Sequence, residues 1–133
     1  MMIKATALSL AAAVFAFGAT SALSDGVSEA MQCQLVGEKT DEEVIAAAGK
    51  WLAAARTVPG GEEMGLSIHF PVAGGKPDTD FAFVLTAPSF ESWGRFWDNY
   101  PGSAAEEIDN AADEITTCSS GGLFGSVDIQ PAQ

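Results

Sequence analysis

Apolar and polar positions alternate from Met31 to Val36, with Met31, Cys33 and Leu35 on one side and Gln32 and Gln34 on the other. A period of two marks a half-buried strand. Gly37 ends it, and Asp25 to Ala30 reads as a polar lead-in. The period then changes: Val44, Ile45, Ala48, Trp51, Leu52 and Ala55 recur at helical spacing. Ahead of them, Thr40-Asp41-Glu42-Glu43 has the capping-box form, in which hydroxyl and carboxylate each accept from the other residue's exposed backbone amide. Pro59-Gly60-Gly61 ends this helix. Period two returns from Leu66 to Val72, with Leu66, Ile68, Phe70 and Val72 opposite Ser67 and His69. Ala73 to Thr79, carrying Gly74-Gly75-Lys76-Pro77-Asp78, has the turn chemistry of a hairpin loop, and Phe81 to Thr86 predicts a third strand. Ser89 caps a second helix whose Phe90, Trp93, Trp97 and Tyr100 form one stripe, leaving Phe96 off it. Pro101-Gly102 splits that helix. Ser103 and Glu106 predict another capping box, and Ile108, Ala111, Ala112 and Ile115 continue the helical spacing. A Ser119-Ser120-Gly121-Gly122 loop then leads to a last strand from Leu123 to Ile129.

Strand, helix, strand, strand, split helix, strand is the βαββαβ order of a ferredoxin-like α+β fold, a four-stranded antiparallel sheet with helices on one face. The helix-facing set is Met31, Cys33 and Leu35, then Leu66, Ile68 and Phe70, then Phe81, Phe83 and Leu85, with Leu123, Val127 and Ile129. The other face holds Gln32, Gln34, Ser67, His69, Ala82, Val84, Thr86, Phe124, Ser126 and Asp128. That face is neither a dry core nor a fully charged surface.

Residues 1–24 lie ahead of this pattern and read as a secretory signal peptide. Lys4 supplies the positive start, Ala5 to Ala19 the apolar run, and small residues lead to a cleavage region near Ala22 to Ser24. The run is shorter than the ~20 residues a spanning helix needs. The expected product is a periplasmic or secreted chain, residues 25–133, long enough for one domain with a single core and free of the membrane after cleavage. The formal net charge is −12, and loss of Lys4 makes it one unit more negative. Such a surface repels phosphate backbones and anionic headgroups, which weighs against nucleic-acid and membrane-surface partners. Two cysteines, Cys33 and Cys118, form no C-x-x-C motif. In an oxidising compartment an even pair is expected to bridge; the placement agrees, because Cys33 faces the helices and Cys118 follows the helix that covers that face.

Candidate chemistry is sparse. His69 is the one histidine of the chain, and histidine is the side chain whose ordinary pKa lies near neutrality; it is the candidate for moving a proton. Trp93 and Trp97 sit four apart on one helical face and offer a wall for a ligand, or ordinary core packing. With a single histidine no Cys/His zinc centre is expected. The carboxylates of Glu106, Glu107, Asp109, Asp113 and Glu114 run along a helix without the loop and glycine pivot of a calcium site. Gly60-Gly61 and Gly121-Gly122 are too short to cradle a phosphate. No metal or cofactor is expected.

The strand from Cys33 to Val36, the hairpin from Leu66 to Thr86, the aromatic helix from Ser89-Phe90-Glu91-Ser92-Trp93 to Tyr100, and Ser119 to Ile129 together resemble the dimeric α/β-barrel group, above all its exported, uncharacterised members. The resemblance is one of strand order and patterning, and no catalytic motif transfers residue by residue. It implies a homodimer whose sheets pair around a cavity. The expected function is binding of a small, mostly apolar ligand on the sheet face away from the helices, by Ser67, His69, Trp93, Trp97, Phe124 and Ser126. The alternative is a cofactor-independent monooxygenase or isomerase using His69, and a second alternative is a protein-interaction module without a ligand.

Overall fold

The computed structural model describes residues 26–75 and 78–126. The leader, the Lys76-Pro77 part of the hairpin loop, and Val127, Asp128 and Ile129 lie outside the described residues. The elements follow in the order β1 (Val27–Leu35), α1 (Asp41–Ala55), β2 (Gly65–His69), β3 (Phe81–Ala87), α2 (Phe90–Asn99), α3 (Ala104–Ala112) and β4 (Thr116–Gly125). The strands form one antiparallel sheet in the order β2-β3-β1-β4. The ferredoxin-like plan is the fold of this chain.

Each helix begins where its capping residue stands. Thr40 accepts from the Glu43 amide while Glu43 accepts from the Thr40 amide, closing the expected box before α1. Ser89 and Ser92 do the same before α2. Before α3 the Ser103 hydroxyl accepts from the Glu106 amide, but the Glu106 carboxylate accepts from Gly102 rather than from Ser103. The exposed donors are still satisfied, by a neighbour of the predicted partner.

The core lies between helices and sheet. Ala55, Val58, Met64, Leu85, Ala87, Phe96, Tyr100 and Ala105 make its larger cluster, and Cys33, Val44 and Phe81 a smaller one. The pattern fails at β2, which ends at His69 short of the expected Val72 and leaves Phe70 and Val72 exposed, and three further features differ from it. First, β1 starts at Val27, so part of the expected lead-in is strand, and Val27 and Glu29 continue the helix-facing row of Met31 and Cys33. Second, β4 starts at Thr116 rather than near Leu123, and the Ser-Ser-Gly-Gly segment lies inside it. The register slips between Ala30 and Met31, leaving Gly121 as the extra residue. A Cβ on Gly121 would stand 2.7 Å from the Ala30 carbonyl oxygen, so the bulge closes only around glycine. Third, Phe96, off the predicted stripe, is fully buried, while Phe90 is 59% exposed. The turn after α1 explains this rotation. A Cβ on Gly60 would lie 2.5 Å from both the Phe96 amide nitrogen and the Ser92 carbonyl oxygen. Bare backbone therefore packs on the 92/96 flank of α2 and turns Phe96 inward.

Cys33 and Cys118 are directly opposed on β1 and β4 and are joined by a disulfide (S–S 2.02 Å). The bridged residues lie 85 apart in sequence, and the link ties the first strand to the last.

Candidate functional site

Small residues on two facing helices leave room above the sheet. Ala47 and Ala48 of α1 and Ala112 of α3 cannot reach the strands, and a cavity of about 300 Å³ remains between them and the sheet. Val44, Trp51, Trp97 and Ile115 complete its upper wall; Met31, Leu66, Phe83 and Leu85 form the floor. Its volume is at the lower end of the roughly 300–1,000 Å³ typical of small-molecule sites. This cavity lies on the helix side, distinct from the sheet face away from the helices where the sequence pattern expects the ligand and where Ser67 and His69 are exposed. The reason is packing: alternation shows that a face is apolar, but not whether the helices above it fill the space.

Three carboxylates reach this largely apolar lining: Glu29 from β1, Asp109 from α3 and Asp113 just after it. Glu29 is unusual in its row. Across the sheet it is flanked by Leu85 on β3 and Leu123 on β4, with Leu66 beyond Leu85 on β2. Burial among these side chains pushes its carboxyl above the usual carboxylate range. Among the described residues, no lysine, arginine or histidine lines the cavity to offset that. Sequence reasoning missed Glu29 because the segment up to Ala30 looks polar. Part of the signal was present, since Val27, Met31, Cys33 and Leu35 keep one period-two row in which Glu29 is the polar member.

Asp109 is held by a directed chain of donors. The Trp51 indole N–H donates to the Tyr100 hydroxyl at 3.3 Å, and that hydroxyl donates to Asp109 Oδ2 at 2.7 Å. Burial pushes the Tyr100 hydroxyl well above its ordinary pKa, an effect that Asp109 reinforces, so it remains a donor. Trp97 packs at a tilt against Tyr100 with ring centroids 4.8 Å apart, and Trp93 meets Trp97 edge-on at 5.6 Å. Among the described residues, no group of three or more potential ligands converges closely enough to hold a metal ion.

The six residues expected to bind a ligand lie on both sides of the sheet and do not form one site within the chain. Of them only Trp97 lines the cavity, with Trp93 behind it. Ser67 and His69 are exposed on the opposite face of edge strand β2, where Ser67 Oγ and His69 Nε2 are hydrogen-bonded at 2.9 Å. Phe124 shares that face and is 53% exposed. Ser126 follows the end of β4 and bonds to the Gly26 carbonyl.

No family profile matches the chain, and no curated protein matches it in sequence. Solved structures do. SnoaB, a cofactor-independent oxygenase from Streptomyces nogalater, superposes in a mutant form with a TM-score of 0.56 at 16% identity, over 81% of this chain and 99% of that one. A second structure of SnoaB, at 1.9 Å, gives 0.55 at 15% identity with the same coverage. A dimeric protein of unknown function and ferredoxin-like fold from Bacteroides fragilis gives 0.45 at 11% identity, over 78% and 99%.

Proposed function

We propose that this protein is an exported binder of a small, mostly apolar molecule, held in the cavity between the helices and the sheet. One observation carries the reading: about 300 Å³ of space is lined by Trp51, Trp97, Phe83 and aliphatic side chains inside an otherwise packed layer. Interiors normally fill such space. The leader-like N-terminus and the Cys33–Cys118 bridge support export. No helix among the described residues is long and apolar enough to cross a membrane. The half-buried Ala82 and Val84 with exposed Phe124 support pairing of two copies through the open sheet face, where Ser67 and His69 remain a second candidate polar site.

The test uses the neutral fluorophore N-phenyl-1-naphthylamine. Saturable, stoichiometric binding is expected, and Ala48→Leu, which fills the cavity, should abolish it while leaving the circular dichroism spectrum intact; Ala112→Leu serves if that variant misfolds. Absence of saturable binding, or undiminished binding by a folded filled-cavity variant, overturns the reading. Light scattering checks the dimer, and a stable monomer refutes it.

A second reading is a cofactor-independent oxygenase, supported by the fold shared with SnoaB and by the Glu29 carboxyl inside the cavity. In it Glu29, not His69, takes the proton from the bound substrate, since a raised carboxyl pKa makes a stronger base at working pH. Oxygen consumption with a phenolic substrate, lost in Glu29→Gln, is the expected result.

A further inference from the structure

We propose that the cavity selects organic cations, molecules joining an aromatic or aliphatic body to an ammonium group, with Asp109 as the residue that receives the charge. The inference rests on the cavity being a ligand site and adds the ligand's chemical class.

Three arrangements converge on it. Asp109 stands at the cavity with one oxygen, Oδ2, already fixed by Tyr100 at 2.7 Å, and Tyr100 is itself fixed by Trp51 at 3.3 Å. Orientation costs the exposed carboxylate little on binding, because the buried Tyr100 hydroxyl sets it beforehand. Its second oxygen accepts no hydrogen bond from the described residues, so it remains available to an ammonium donor. Second, the indoles of Trp51 and Trp97 line the same cavity. Indole faces attract cations, most strongly where water is excluded. Third, among the described residues all the charged groups in the lining are acidic: Asp109, Glu29 and Asp113. An anionic ligand would meet three carboxylates and no cationic partner there. The net charge of −12 extends the same field outward and steers cations toward the opening. Trp51 and Tyr100 act here as positioning residues, and Asp109 as the contact.

The test compares three indoles of like size by calorimetry: tryptamine (cationic), 3-propylindole (neutral) and indole-3-propionate (anionic). Tryptamine is expected to bind at least ~10-fold tighter than 3-propylindole, with indole-3-propionate weakest, and the preference should shrink with added salt. In Asp109→Asn the ratio of tryptamine to 3-propylindole affinity should fall several-fold. In Tyr100→Phe, which keeps the ring, it should fall less, about threefold, with the loss concentrated in the enthalpy. Equal affinities for tryptamine and 3-propylindole overturn the cation proposal while leaving the cavity reading intact. An unchanged ratio in Asp109→Asn overturns the assignment to Asp109. Failure of all three indoles to bind overturns both the cation proposal and the cavity reading beneath it.

Discussion

The two faces of the sheet are built from alternate residues of the same strands, yet they do different work. On the covered face Val27, Cys33, Phe81 and Leu85 are buried, and Glu29 sits in a row of leucines beneath a cavity. On the open face Gln32, Ala82 and Val84 are half-buried, Ser67 and His69 exposed. A one-residue step along β1 or β3 thus crosses from one solvent to another. Burial raises the pKa of the Glu29 carboxyl on the covered face, while the histidine that sequence alone favours is bonded to a serine in the open. Environment, rather than residue type, marks the better site candidate.

The largest expected effect comes from the bridge on the covered face. Replacing Cys33 and Cys118 with alanine reopens a loop of 85 residues, removing roughly 4–5 kcal/mol in the chain-entropy account; the urea midpoint measures it, and a negligible shift would mean that β1 and β4 hold without the link. Next come neighbours on opposite faces. Leu85→Ala is expected to cost about 2–5 kcal/mol, as core leucines do, and Val84→Ala under about 1 kcal/mol in the monomer. Equal losses would erase the distinction between the faces. A concentration-dependent loss in Val84→Ala alone would instead assign the open face to a dimer interface.

A smaller effect separates the faces by pH. The Glu29 carboxyl has a folded pKa above its unfolded value. Between the two values the folded state binds more protons, so stability falls as pH rises through that interval. Glu29→Gln should therefore raise the melting temperature at about pH 7.5, and the gain should vanish near pH 3.5, below the ordinary carboxylate pKa. The same gain at both pH values would attribute it to something other than ionisation. The smallest effect belongs to His69→Ala, expected to leave stability within about 0.5 kcal/mol and N-phenyl-1-naphthylamine binding unchanged. Loss of that binding would move the site to the open face.

Much of the fold was legible in the alternation and the caps: Thr40, Ser89 and Ser103 start the three helices where the pattern predicts, and the strand order follows from the sequence of periods. The site was less so. Phe96 looked peripheral because helical spacing defines a stripe only to within the rotation that neighbours impose, and the bare backbone at Gly60 sets that rotation. Ser119 to Gly122 looked like a loop because serine and glycine are turn residues, whereas pairing with β1 draws them into a bulged strand. Glu29 was hidden by its own polarity at the edge of a strand.

By itself, then, the sequence determined which segments are strands and helices, which side of each is apolar, and the even cysteine pair, because backbone propensity, period and capping are local properties. Tertiary structure decided where β1 and β4 begin, that Cys33 and Cys118 stand directly opposite, that alanines on α1 and α3 leave a cavity, and that Glu29 and Asp109 both reach it. Those depend on how far one surface stands from another, and distance between surfaces is set only when the layers close.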